Sequence, residues 1–502
     1  MSVQPAAFLD RKRLFIFLGL YFALQFVFRV LVSNSAELDE AEQLLLTQHL
    51  DLGYGSQPPL YTWLLSGLFS IFGTGLAALA AVKNVLLFST YLFVYKSALE
   101  VTGDEERASV AMLSLLLIPQ IMWESQRDLT HSVMGTALAA ATLFVVLRLL
   151  KTGAPRYYAI FGACAGIGIL SKYNYAFFLV ALLAAGWSMK AFRARLFNRK
   201  MLLSLLCLLL VVTPHLYWML DHMHKATTDA GKFKMAHSMG RFAAWGTGFM
   251  SLTAAAAAFA GGLVAIYALF FFRRSPGETG SAPEDDYATL VRRTLAAGLS
   301  LCVVMIICFK VTAFKDRWMQ PLLFLTPVWL VTLHPGRFTL ARARGYLSLC
   351  LAVAVAVLIL MPGHVLWGPR IGKFGRLNAP YDRLAAALRE AGFTDGVIVA
   401  QGRLVGGNLR IFFPESRVVA PEAPAPVEPQ GKARLLVWDA TRDAALPEGL
   451  RAFALGRFAS PQQLATPPRY VEATYRHASG RAMRLGFVLL PAGLPGAVAS
   501  PR

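Results

Sequence analysis

Residues able to do chemistry are gathered in a few short polar segments of an otherwise apolar chain. The first holds Glu37, Asp39, Glu40, Glu42 and Asp51, followed by Gly53-Tyr54-Gly55-Ser56-Gln57-Pro58-Pro59-Leu60-Tyr61. The second runs from Trp123 through Glu124, Ser125, Gln126, Arg127 and Asp128 to Thr130-His131. Ser171-Lys172-Tyr173-Asn174 is the third, and Lys310, Lys315, Asp316 and Arg317 supply the last. Carboxylates in such loops suit proton transfer, and a group of cations suits an anionic ligand such as a lipid phosphate. Each feature also has a plainer reading. Asp39-Glu40 precedes a helical AEQLLL stretch and would serve as a helix N-cap. Lys315 and Arg317 would anchor a helix in headgroups. His222-x-His224 alone is a weak metal signal.

The elements that position these segments follow from composition. Of 502 residues, 56% are hydrophobic and only 16% charged, against about 25% charged in ordinary soluble domains. Apolar windows of roughly membrane-crossing length predict eleven spans, near 14–32, 76–98, 107–121, 131–149, 156–170, 175–189, 201–220, 245–272, 292–309, 318–333 and 345–361. Arg11, Lys12 and Arg13 precede the first run, which exceeds a typical signal-peptide core, so a retained span is expected. The segment 60–72 (LYTWLLSGLFSIF) is short and amphipathic and reads as an interfacial helix.

The net charge is +20, and many of the basic residues fall in short connections, carrying Lys151, Arg156, Lys190, Arg193, Lys200, Arg342 and Arg344. The segment 33–75 has no Lys or Arg at all. This asymmetry predicts a cytoplasmic N-terminus and places the polar segments on the outer side. Anionic headgroups explain the charge, and no nucleic-acid motif accompanies it. The five cysteines all fall in predicted spans and imply no disulfide or zinc framework.

After about residue 361 the pattern changes. Strand-length runs at Val397–Ala400, Arg417–Ala420, Ala433–Trp438 and Met483–Leu490 follow a helical stretch, Tyr381–Ala391, with a Pro-rich loop at 421–429. The expected organisation is therefore a helical polytopic membrane domain, 1–361, and a small outer α/β domain, 362–502.

Glu37-Leu38-Asp39-Glu40 after the first span, then Gln57-Pro58-Pro59-Leu60-Tyr61-Thr62-Trp63, resembles the first outer loop of GT-C glycosyltransferases. Gly168-Ile169-Leu170-Ser171-Lys172 and Phe314-Lys315-Asp316-Arg317-Trp318-Met319-Gln320-Pro321 continue the pattern, which covers roughly residues 10–335. The resemblance is to protein O-mannosyltransferases and to bacterial transferases that decorate lipid A and its core with aminoarabinose or galacturonate. It implies an inverting transfer from a polyprenyl-phosphate sugar to a lipid A, core, other envelope-glycan or protein acceptor at the outer face of a bacterial inner membrane. By that resemblance Asp39 acts as base at the acceptor, and Glu40 orients the loop or binds sugar. Lys172, Arg317 and Lys315 hold the donor phosphate. Gln57, Tyr61, Arg127, Asp128, His131 and Tyr173 contact substrate. The chain departs from the aminoarabinose transferases at Gln57, where they have Lys, and at His131, where they have Asp, which points away from aminoarabinose.

The chemistry is consistent with those roles. A departing lipid phosphate needs cationic stabilisation and no proton, so no metal is obligatory, although Glu124, Asp128 and His131 offer one a place. A transporter would instead show paired halves with charges near the midplane, and here the halves do not match. A scaffold role would leave function intact in Asp39→Asn.

Overall fold

Apolar stretches of membrane-crossing length become helices throughout the first 371 residues. The computed structural model describes residues 11–226, 234–235, 239–272, 285–423, 431–478 and 480–492, so positions 424–429 of the Pro-rich stretch lie outside the described residues. Among these, seven helices are long and apolar enough to cross a bilayer: Arg11–Val32, Leu76–Thr102, Thr130–Thr152, Met201–His224, Arg241–Phe271, Asp286–Phe309 and Leu340–Ile371. Two bent pairs, Glu105–Leu117 with Gln120–Arg127 (71°) and Tyr175–Ser188 with Lys190–Leu196 (119°), raise the number to nine. The other two expected positions are helical but short. Pro155–Ser171 has 17 residues. The stretch 318–333 is divided into Gln320–Leu323 and Thr326–Leu330, each with a proline in its first turn. Proline lacks an N–H and starts a helix more readily than it continues one. The chain is a multi-pass membrane protein.

The chain forms two compact units. One contains Met1–Leu24, Asp51–Tyr61 and Lys83–Leu358, and the other Gln25–Leu50, Thr62–Val82 and Ile359–Arg502. The first unit is helical, with a continuous core that includes Tyr91, Leu143, Leu147, Phe178, Phe324 and Tyr346.

The second unit carries a five-stranded mixed sheet of β1 (Val397–Ala400), β2 (Arg417–Val419), β3 (Arg434–Asp439), β4 (Arg469–Thr474) and β5 (Ala482–Leu490). The order is β2-β1-β3-β5-β4. β1 pairs in parallel with β2 and β3, while β5 runs antiparallel to β3 and β4. Alternation along the strands builds two cores. Ile398, Ala400, Leu435, Val437, Leu485 and Phe487 meet Tyr381, Leu384, Leu388 and Leu409 on one face. Val397, Val399, Leu436, Trp438 and Val488 meet Leu450, Ala454 and Phe458 on the other.

A segment from the start of the chain completes this unit. The helix Leu38–Leu46 places Leu45 in the first of those cores and packs against the helix Arg403–Phe412. A Cβ added at Gly407 would stand 2.1 Å from the Ala41 carbonyl oxygen, and one at Gly406 would stand 3.4 Å from Leu45 Cδ2. Two glycines in a helix cost about 1 kcal/mol each, and here they let two backbones approach closely. The joint is polar at its ends. Asn408 accepts the Ala36 N–H (2.7 Å), and the Ser35 hydroxyl donates to the Ala379 carbonyl (2.6 Å). The Gln48 amide exchanges two hydrogen bonds with Val418 (2.7 and 2.8 Å). Because β2 is an edge strand, this side chain occupies backbone groups that an open edge would leave unpaired.

Candidate active site

In the second unit the acidic pair opens the Leu38–Leu46 helix, where carboxylates are favoured by the helix dipole. The two carboxylates have different surroundings. Glu40 is 1% exposed. It accepts from Arg29 Nη2 at 2.5 Å and Arg29 Nε at 3.4 Å, and reaches back to the Glu37 N–H at 3.0 Å, as a capping-box residue does. Arg29 also donates to the carbonyls of Ser35 (2.9 Å) and Ser33 (3.4 Å). Glu37 pairs with Arg376 at 3.0 Å. Asp39 remains half-buried and lies within the field of Arg403. Burial works to lower the Arg403 pKa, yet Glu42 at 2.6 Å, together with Asp39 and Glu422, raises it above the ordinary arginine value. Arg403 therefore stays charged.

In the first unit three polar segments converge. The Lys172 ammonium donates to the Ser132 hydroxyl, and the His131 ring meets the Ser171 carbonyl at 3.2 Å. Tyr61, fully buried, packs its ring 5.4 Å from that of His131. Asn174 donates to the Trp318 carbonyl (3.0 Å), which ties the 171–175 turn to the segment bearing Lys315 and Arg317. Gln120 donates to Asp316 (2.5 Å), and Gln320 donates to the Gln120 carbonyl (2.9 Å) and the Ser125 hydroxyl (3.0 Å). Lys315 is exposed, with its ammonium 5.6 Å over the Trp318 ring, whereas Arg317 is half-buried.

The second polar segment is held in an uncommon backbone. Gln120–Glu124 is a π-helical turn, and Leu129, between buried Asp128 and Thr130, is left-handed at φ +67°. A leucine there costs about 1–2 kcal/mol, and such features concentrate at functional sites. Arg127 is exposed and pairs with Glu124 at 2.6 Å. Gln57 closes a turn with Tyr54 through two backbone hydrogen bonds, 3.1 and 3.2 Å, over Gly55 at φ +61°. Tyr173 donates to His215 Nε2 (2.9 Å) while His215 Nδ1–H donates to the Leu52 carbonyl (2.6 Å), fastening the same loop.

Several participants were not singled out from sequence. Lys83, 2% exposed, lies with its ammonium 3.4 Å from the Gln126 carbonyl, and Arg29 holds Glu40. Both are charges inside apolar stretches, a signal in its own right. Among the described residues, no three His, Cys, Asp or Glu side chains come together to hold a metal, and Glu124 is engaged by Arg127 instead.

Comparison with known proteins bears on the family and the fold. Residues 56–218 match the dolichyl-phosphate-mannose-protein mannosyltransferase family. Crystal structures of ArnT from Cupriavidus metallidurans, one bound to undecaprenyl phosphate and one in the apo state, share the fold over 97% of this chain and 99% and 98% of theirs. Their TM-scores are 0.57 and 0.59 at 13% identity. Two proteins of Rhizobium johnstonii are similar over most of their length. The lipopolysaccharide core galacturonosyltransferase RgtB is 33% identical over 86% of this chain and 87% of its own. Its counterpart RgtA is 32% identical over 86% and 88%. Identity of that extent shows that this chain belongs to the lipopolysaccharide core galacturonosyltransferase family and is a membrane glycosyltransferase of GT-C fold.

Proposed function

We propose that the protein transfers galacturonate from a polyprenyl-phosphate donor to a hydroxyl of the lipopolysaccharide core at the periplasmic face of a bacterial inner membrane. The observation that carries the assignment of roles is the unequal treatment of the acidic pair. Glu40 is committed to Arg29 and the Glu37 N–H, which suits a residue that orients the loop. Asp39, half-buried in the first turn of the same helix, is the carboxylate that serves as base. The acceptor oxygen bonds to the anomeric carbon as the bond from that carbon to the phosphate oxygen breaks. The electron pair leaves with the polyprenyl phosphate, and the hydroxyl proton passes to Asp39. Lys172 and Arg317 stabilise the departing phosphate, with Lys315 at the margin. Tyr61, His131, Tyr173, Gln57, Arg127 and Asp128 shape the sugar and lipid contacts.

Core lipopolysaccharide is favoured over protein because the relatives similar over most of the chain are named for it. An undecaprenyl carrier is favoured because ArnT from Cupriavidus metallidurans, which shares the fold, has a crystal structure bound to undecaprenyl phosphate. The test is transfer by the purified protein from labelled polyprenyl-phosphate galacturonate and, in parallel, from the aminoarabinose donor, to core lipopolysaccharide and to a protein acceptor. Label moving from galacturonate to core is expected. Transfer to protein alone, or from aminoarabinose alone, would overturn the assignment.

A further inference from the structure

The turn that carries Arg317 is too short to hold its own shape. Asp316–Trp318 is a single 3₁₀ turn and Gln320–Leu323 a four-residue helix, and pieces of that length have little intrinsic stability. Side chains from elsewhere in the same unit fix it instead. Gln120 donates to Asp316 Oδ2 at 2.5 Å, and Asp316 Oδ1 accepts the Arg317 N–H at 2.7 Å. On the other side of Arg317, the Trp318 carbonyl accepts at 3.0 Å from Asn174, two residues beyond Lys172.

Gln320, fully buried, is where these ties meet. Its amide donates to the Gln120 carbonyl (2.9 Å) and to the Ser125 hydroxyl (3.0 Å). The Ser125 hydroxyl donates in turn to the Gln120 carbonyl (2.7 Å), the atom on which the π-helical turn closes. The Thr136 hydroxyl lies 3.5 Å from Gln320 Oε1 and donates to the Ser132 carbonyl at 2.8 Å, and the Ser132 hydroxyl accepts from Lys172. One buried amide thus joins the turn of Arg317 to the 120–125 turn and to the helix whose Ser132 meets Lys172. Buried polar networks whose groups are matched specify one arrangement.

We propose that Gln320 is a positioning residue for the donor, setting the place of Arg317 relative to Lys172. The inference rests on the reading given above, in which those two cations hold the donor phosphate. A binding group displaced by about 1 Å can cost about a hundredfold, so Gln320 acts through Arg317 and not by touching the donor.

The experiment is steady-state transfer by the full-length protein in detergent, comparing wild type, Gln320→Met, Arg317→Ala and the double variant. Donor KM, acceptor KM and kcat are read separately, with melting recorded for each. Methionine keeps the length of the side chain and removes its hydrogen bonds. Gln320→Met is expected to raise the donor KM about fivefold, with the acceptor KM within about twofold. On top of Arg317→Ala it is expected to add less than about twofold, because coupled residues are not additive. A change that only loosens the core lowers the active fraction. It therefore lowers apparent kcat, leaves the donor KM alone and multiplies with Arg317→Ala. An unchanged donor KM in Gln320→Met overturns the positioning role, as does an undiminished effect in the double variant. Should Gln320→Met fail to fold, Gln120→Met, which cuts the tie to Asp316, decides by the same readings. Arg317→Ala by itself keeps the two claims apart. A donor KM that it leaves unchanged sinks the phosphate-holding reading, and the positioning role with it. A donor KM that it raises, with Gln320→Met silent, sinks the positioning role alone.

Discussion

Replacing Glu40 by Ala removes one partner of an ion pair that is almost wholly enclosed, with Glu40 at 1% exposure and Arg29 at 11%. Breaking such a pair from one side costs about 3–5 kcal/mol, because the remaining charge stays buried. Arg29 keeps its bonds to Ser35 (2.9 Å) and Ser33 (3.4 Å), which places the expected cost near the lower end, about 3 kcal/mol. The Glu37 N–H also loses its cap. The damage is local, because the pair ties the start of the Leu38–Leu46 helix to the end of the first helix. The opening equilibrium of residues 36–46 should therefore shift by about a hundredfold at 1.4 kcal/mol per decade. Hydrogen exchange of peptides covering that segment, in the detergent-solubilised protein, measures this directly. Glu40→Gln keeps an acceptor for the cap and should show about half the free-energy change. Exchange that changes less than threefold in Glu40→Ala while transfer collapses would refute the reasoning and put Glu40 in the chemistry.

Other expectations follow from the same geometry. Gly407→Ala should destabilise the α/β unit by about 1–3 kcal/mol, since the new Cβ meets backbone at Ala41. Gly449→Ala, in a helix with open space around it, should be neutral or mildly stabilising, so a melting comparison that ranks them otherwise rejects the packing argument. Lys172→Ala and Arg317→Ala should each raise the donor KM tenfold or more, whereas Lys315→Ala, at an exposed position, should change it less than threefold. Transfer should be unaffected by chelator. A loss reversed by a divalent ion would return Glu124, Asp128 and His131 to consideration as metal ligands.

The helical half was readable because length and hydropathy decide it. Each of the eleven expected positions is helical, and the division of the one at 318–333 is explained by Pro321 and Pro327. In the α/β unit, β1 was read at its full extent, as four consecutive buried residues. β4 (RYVEAT) was not, because an edge strand lacking fully buried positions has too little apolar contrast. The helix Arg403–Phe412 was missed for a different reason. Gly406-Gly407 argues against a helix locally, and the glycines are explained only by what lies against them, the Ala41 backbone at Gly407 and Ala400, Val418 and Leu45 at Gly406. The candidate site is partly legible as a set of residue types, and its roles remain proposals. Residue types and their order marked Asp39, Lys172 and Arg317, but pairwise facts were not available from one dimension. That Glu40 is held by Arg29, or that Gln48 closes the edge of β2, depends on residues 11 and 370 positions apart in sequence.

The account stands most directly on the role of Asp39, and one measurement tests it: kcat for transfer to core lipopolysaccharide by Asp39→Asn beside wild type, with hydrogen exchange confirming that residues 36–46 are unchanged. Loss of a positioned general base predicts a fall of about 10²–10⁴-fold with little change in donor KM. Asp39→Asn turning over within threefold of wild type would contradict the assignment.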